Sequence, residues 1–358
     1  RTLLSSSRWV NLPEDIWVHQ ILNPFLDLKA LATVGRCNTF FEEYWQYVLK
    51  QNIIRVPEGC PTMKEAMDLA VIFSVKNECT KENPVKVEVA EGDHDMMGDS
   101  RQVGEYENET YDGMFEMTQN RFPVLHLHVS CNNITIVGKG KGKTTMHGGF
   151  YVNGKQNVKI EHLSATNFWG YGLDCSDGSG TNVDVTECCF KECQHGGMAV
   201  MDGATVTATR CDFMENDYIG VVCSGEDTKA RLTDCTMHHN TEIGLFAVNH
   251  AVVDLHGTKT DIHSNEQDGI RASGRQQQDG IRASGRAKVN IHLSSQHNTT
   301  HDNVRDDRNQ EAAFEINNVG PEWDPHTACI EDVDWGPGSI ANINADGTFT
   351  HVEVEEDD

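Results

Sequence analysis

Apolar residues along this chain come in short bursts. Between about Asn157 and Gly274 runs of a few residues alternate apolar and polar positions, as in Val183-Asp184-Val185, Val206-Thr207-Ala208 and Val252-Val253-Asp254-Leu255. Alternation of this kind is strand spacing, because successive side chains leave a strand on opposite faces. Each such strand belongs to a unit with a small residue or thiol at Leu163, Cys188, Cys211 or Cys235, and then a turn, which carries Asn216, Asn240 and Asn265 in the last three repeats. A glycine-led strand closes each unit: Gly172-Leu173-Asp174-Cys175, Gly197-Met198-Ala199-Val200, Gly220-Val221-Val222-Cys223, Gly244-Leu245-Phe246-Ala247 and Gly269-Ile270-Arg271-Ala272. These glycines recur at steps of 25, 23, 24 and 25 residues.

A period in the twenties, with strands too short for anything but two or three per repeat and no room for a helix, is the signature of a solenoid. The reading is a mainly β chain built as a parallel β-helix, each strand pairing with its equivalent one coil away at roughly 4.8 Å. Equivalent residues then stack in columns. Cys188, Cys211 and Cys235 form one inward column, and the asparagines form a turn column whose amides bond coil to coil, asparagine also tolerating a left-handed backbone. A leucine-rich repeat is the competing solenoid, but its leucine spacing is absent. Further rungs are expected at Val85–Val89, Leu125–Val129 and Ile134–Gly138. The β-helix is placed over residues 54–320, and the acidic, glycine- and methionine-rich stretch from Gly98 to Asn120 is read as a loop.

The flanks read differently. Thr62-Met63-Lys64-Glu65 is a capping box, and Met63, Ala66, Met67, Ala70 and Phe73 follow helical spacing, so a short helix over 62–73 is expected to plug the open end of the solenoid. Pro13 with Glu14 and Asp15 suits a helix start, and Asp27 and Asn38 are N-caps for two more short helices, the last carrying Tyr44, Trp45 and Val48. Three helices in about forty residues bury little core, so this module needs a partner or the solenoid beside it. From Asp302 to Asp358 there are 16 Asp plus Glu against 2 Arg and no Lys. More than half of the formal charge of −26 therefore sits in that stretch, and residues 321–358 are read as an acidic C-terminal tail.

That charge argues against nucleic acid as a partner, since a phosphate backbone needs a basic face. No run of about 18 apolar residues marks a membrane helix. Residue 1 is arginine, so a lost leader stays open. The twelve cysteines fit buried thiols in a reducing, intracellular setting, cytoplasmic or nuclear, better than a disulfide framework. Cys188, Cys189, Cys193 and His195 lie close in sequence but straddle a strand and a turn, unlike paired zinc knuckles, so no metal and no cofactor are expected. Lys139-Gly140-Lys141-Gly142-Lys143-Thr144-Thr145 lacks the spacing of a phosphate loop and the helix after it, and is read as a basic turn. Gln267–Arg275 recurs unchanged as Gln278–Arg286. An 11-residue step is half a coil, so the second copy is expected as an extended loop, and Arg271, Arg275, Arg282 and Arg286 as a local basic patch.

Residues 11–50 closely resemble an F-box. The resemblance rests on Leu12, Pro13, Glu14, Ile21, Leu22, Phe25, Leu26, Leu28, Leu31, Val34, Cys37, Phe41 and Trp45 in order, with Pro24 and Gly35 as departures. It implies docking of a Skp-family linker by these residues and Ile16, Phe41 aside, and through it a cullin and a RING subunit. The region from about Ile54 to Gly320 resembles pectin-lyase-like right-handed β-helices. Together these resemblances imply the substrate-recognition adaptor of a cullin-type ubiquitin ligase, with a protein substrate on the β-helix and no active site in this chain.

The alternative is a carbohydrate-active β-helix protein, a lyase, hydrolase or uronan epimerase, which needs clustered carboxylates. Asp177 and Asp202 fall 25 residues apart at equivalent turns, with Glu226 and Asp227 on the next coil, although Asp177-Gly178 and Asp202-Gly203 also read as plain turns. Tyr171-Gly172-Leu173-Asp174 resembles the uronan epimerase motif. Cys175-Ser176 departs from it, and Asp324-Pro325-His326 lies far downstream.

Overall fold

Alternating strands of four or five residues bury only one face each, so they are stable when their equivalents from neighbouring coils lie on either side. In the computed structural model they do this three times per coil. The structure describes residues 52–96, 126–176, 180–273, 287–292, 300–304, 308–311, 339–343 and 349–351. The three-helix module expected at 11–50, the loop at 98–120 and the Asp324 fragment lie outside them.

Three sheets run the length of the solenoid, of eleven, eight and eight strands among the described residues, and are called A, B and C in the order the chain visits them. All pairing is parallel until Phe349–His351, which folds back antiparallel on Ser339–Ile343 at the end of sheet A. In sheet A, Val158, Val183, Val206, Ala230 and Val253 stack as one inward column. Ile160, Val185, Ala208, Leu232 and Leu255 form a second, and all ten are buried. Sheet B contributes Met146, Ala165, Phe190, Phe213, Met237 and Ile262. Phe190 and Phe213 stack with ring centroids 5.6 Å apart.

Two of the three corners of each coil, A to B and B to C, are tight because single residues take the left-handed conformation. Glu187, Arg210 and Asp234 do so between sheets A and B, and Glu215, His239 and Ser264 between B and C. The asparagine column therefore works differently from expectation: Asn216, Asn240 and Asn265 each follow the left-handed residue and turn inward. Their amides run coil to coil, Asn216 Nδ2 to Asn240 Oδ1 and Asn240 Nδ2 to Asn265 Oδ1, both 2.9 Å. This explains the recurring glycine. A Cβ at Gly220 would stand 2.9 Å from Asn240 Nδ2 and 2.5 Å from the Gly244 carbonyl, and Gly197 and Gly244 face their own amides in the same way.

Cys188, Cys211 and Cys235 form the inward thiol column, each donating to a carbonyl of the preceding coil. The ten described cysteines are free thiols, and all but Cys79 are buried. One helix, α1 (Met63–Lys76), is present among the described residues, capped by Thr62, whose hydroxyl accepts from the Glu65 amide. Its buried face packs on Ile53–Val56, Val85–Val89 and His126–His128, closing the first coil. No described helix is long and apolar enough to cross a membrane.

The internal repeat is resolved by register. Sheet A advances from Val206 to Ala230 to Val253, steps of 24 and 23, and then from Val253 to Val289, a step of 36. The surplus corresponds to the 11-residue duplication. The first copy supplies a regular rung, Ile270 beside Leu245, and the second lies outside the described residues. Lys139–Lys143 turns the chain from sheet A to sheet B, with Lys141 Nζ 2.8 Å from Asp212 Oδ2.

Candidate active site on sheet C

Sheet C presents one outward column whose register runs His128, Tyr151, Asp174, Ala199, Val222, Phe246, Arg271. Outward positions usually face water, yet Ala199 and Val222 in the middle of the column are buried, while His128 at its start is exposed. Within the column Asp174 keeps a solvent-facing edge, while its Oδ1 is enclosed with no hydrogen-bond partner. Desolvation, and next the negative charge of Asp202 on the following coil, push its carboxyl up to about 7.

The neighbours of Asp174 are polar and aromatic. Tyr171 lies on the same strand, its ring against Gly196, where a Cβ would come within 3.2 Å of it. Burial, and then Asp174, push its phenol up to about 12, so it is a proton donor at neutral pH. His195 meets the Tyr171 ring edge-on at 5.6 Å, and burial lowers its pKa. His126 packs over Gly149 and Gly170, which have no side chain to displace it. Its Nε2 is enclosed without a partner, and desolvation lowers the ring to about 4, a nearby Tyr171 carbonyl pulling the other way. Tyr151 lies between His128, at 4.8 Å, and Asn153 and Ser176, whose side chains bond its hydroxyl.

An aromatic edge borders the face. Trp169, His195 and Tyr218 lie just after the B–C corner in successive coils, where His195 N bonds to Gly170 O and Ile219 N to His195 O. Phe168 beside them is 72% exposed and Tyr218 44%, and Phe168 packs edge-on against Trp169 at 5.0 Å.

Of the residues expected from sequence, Tyr171 and Asp174 share a strand, and Asp202, at an exposed turn of the following coil, acts on Asp174 through its charge, whereas Asp177 lies outside the described residues. Glu226 and Asp227 are exposed at a turn. Cys188, Cys189 and Cys193 do not converge with His195: Cys188 points into the core, Cys193 donates to the Lys191 carbonyl, and burial raises all three thiols. Arg271 is paired to the buried Asp268, and the other three arginines of the expected basic patch lie outside the described residues. The linker-docking residues from Leu12 to Trp45 do as well. The sequence does not mark His126, His128 and Tyr151 as site residues, and it offers His195 only beside the cysteines, although alternation in Leu125–Val129 places His126 and His128 on one face.

The family model described as right handed beta helix region matches residues 104–230. The chain contains a right-handed parallel β-helix domain. No curated protein matches its sequence. Among solved structures, this β-helix is similar to ORF18 of Geobacillus virus E2, at 9% identity, covering 76% of this chain and 63% of that one, with a TM-score of 0.36. This chain thus spans less than two thirds of the viral protein. The A-module of mannuronan C-5 epimerase AlgE4 from Azotobacter vinelandii matches at 11% identity, 69% and 90% coverage and a TM-score of 0.26. The catalytic domain of a GH87 alpha-1,3-glucanase matches at 10%, 74% and 69%, and 0.19. At these scores none of them bears on what this β-helix does.

Proposed function

We propose that the outer face of sheet C is a carbohydrate site at which Asp174 transfers a proton. The observation that carries this is the Asp174 carboxyl, with one oxygen enclosed and unpartnered and its pKa held at about 7. A carboxyl poised there is protonated often enough to act as an acid and ionised often enough to act as a base. The aromatic edge of Trp169, His195 and Tyr218 suits the apolar faces of sugar rings, with Asn153 and Tyr151 as hydroxyl partners.

A formal charge of −26 disfavours a polyanionic substrate. A neutral polysaccharide cleaved by hydrolysis is therefore the preferred reading within the carbohydrate-active class. Asp174 gives its proton to the glycosidic oxygen as the bond to the anomeric carbon breaks, and water adds to that carbon, losing its proton to the Asp202 carboxylate. A buried carboxyl that keeps its proton, with an exposed carboxylate on the following coil, is the kind of pair such chemistry uses. The test is a panel of neutral glucans, mannans and xylans beside alginate and polygalacturonate, read both as new reducing ends and as unsaturated uronides. Reducing ends released from a neutral polymer are expected. Unsaturated products would replace hydrolysis by elimination at the same site, and turnover of no polymer by the folded chain would reject the reading.

A second reading rests on residues 11–50, whose F-box pattern supports a role as adaptor of a cullin-type ligase, with the β-helix presenting a protein substrate. The full chain is expected to bind a Skp-family linker stoichiometrically in a pull-down, and the chain lacking residues 1–50 is not. Equal capture of both, or of neither, would remove it.

A further inference from the structure

Far from sheet C, the outward face of sheet A carries Asp254 and His256 at alternate positions of one strand, with Asn290 and His292 paired directly across from them on the next. Alternate residues share a face, and neighbouring strands lie roughly 4.8 Å apart, so parallel pairing gathers four polar side chains at the corners of a small square. The His256 and His292 rings stack at 4.1 Å with 13° between their planes. His292 Nε2 lies 3.1 Å from Asp254 Oδ1, and the Asn290 amide donates to the same oxygen at 2.9 Å. One potential donor atom from each of Asp254, His256 and His292 lies within 4.8 Å of the other two, and all three residues are half-buried. His256 Nε2 is enclosed with no hydrogen-bond partner.

We propose that Asp254, His256 and His292 form a binding site for a zinc-type divalent transition metal. Two imidazoles and a carboxylate are a common zinc donor set, and imidazole disfavours calcium and magnesium. Tetrahedral coordination with bonds of about 2.0–2.2 Å draws the three donor atoms closer than the 4.8 Å within which they now lie. The enclosed Nε2 of His256 gains the partner it lacks, and Asn290 holds the carboxylate in place as an outer support. Three protein donors leave a fourth position for water. The site joins the two strands that flank the duplicated segment, His256 before it and His292 after it, so a bound ion cross-links the coil where the insertion lengthens the chain between rungs.

The test uses the full chain stripped with a chelator and titrated with Zn²⁺ by calorimetry, and with Co²⁺ by visible absorption. One tight equivalent is expected, with the intense d–d bands of a tetrahedral Co²⁺ site and a rise in thermal midpoint. His256→Ala and His292→Gln are each expected to weaken binding at least about a hundredfold, with the folded circular dichroism spectrum retained. His263→Ala, in a separate histidine stack on sheet B, is expected to leave binding unchanged. Absence of a tight equivalent overturns the proposal, as does one that survives both substitutions, which would place the ion at other histidines or thiols.

Discussion

Asp174→Asn is expected to abolish glycan cleavage while making the folded chain more stable above pH 7. The two effects share one cause. An ordinary aspartate ionises near 3.8, whereas in the fold this one holds its proton to about 7. Between those values the unfolded chain has lost the proton and the folded chain keeps it, so the unfolded state is favoured by about 1.4 kcal/mol for each pH unit. The accumulated loss is at most about 4 kcal/mol. It is absent below pH 4, grows through the window and is complete above 7. Asparagine keeps the shape and cannot ionise, so the stability gap between variant and parent should widen from pH 4 to pH 8 by a few kcal/mol in urea denaturation. Asparagine also cannot donate the proton, and a positioned acid contributes about 10²–10⁴ in rate. The parent's activity should fall as pH rises through about 7. A gap that does not change with pH would mean that Asp174 titrates as a surface carboxyl, and the acid role would go with it.

Why Asp174 was hard to single out is a matter of range. Its strand is legible from Gly172, Leu173 and Cys175, and its resemblance to a known motif marks Tyr171 and Asp174. The pKa of Asp174, however, is made by burial on an outward face and by Asp202 one coil on, and neither follows from local spacing. An Asp-Gly pair such as Asp177-Gly178 is conspicuous in sequence, yet turn chemistry alone explains it. Columns were readable because a fixed period maps sequence distance onto stacking, as with Cys188, Cys211 and Cys235. The same rule hides the Asp254, His256 and His292 group: the duplication sets His292 36 residues after His256, and a period in the twenties never aligns them. The period alone puts the asparagines in one column, but the left-handed backbone at the corner falls on Glu215, His239 and Ser264, while the asparagine amides satisfy buried backbone.

The satisfaction of that backbone makes Asn240→Ala the most damaging single change expected in the scaffold. Asn240 is fully buried. Its Oδ1 accepts from Asn216 N at 3.2 Å and from Asn216 Nδ2 at 2.9 Å. Its Nδ2 donates to the Phe213 carbonyl at 3.2 Å and to Asn265 Oδ1 at 2.9 Å. Alanine removes all four bonds and leaves the Asn216 amide group and backbone N–H without this acceptor in a site closed to water. Each orphaned polar group costs about 1–3 kcal/mol, so a loss of about 3–5 kcal/mol is expected. The damage should spread, because Asn216 is also the acceptor for Cys193 N at 3.0 Å, and a loosened Asn216 frees the corner that sets His195 beside Tyr171. Thr241→Ala, which removes only a 3.3 Å bond to the Asn216 carbonyl, should cost less than about 1 kcal/mol. Aspartate at 240 would be no remedy, since it keeps the acceptor, lacks the donor and adds a buried charge. Chemical denaturation of the three variants gives the order directly. If Asn240→Ala and Thr241→Ala destabilise equally, the amide column is an ornament of the coil and stability resides in the apolar columns alone.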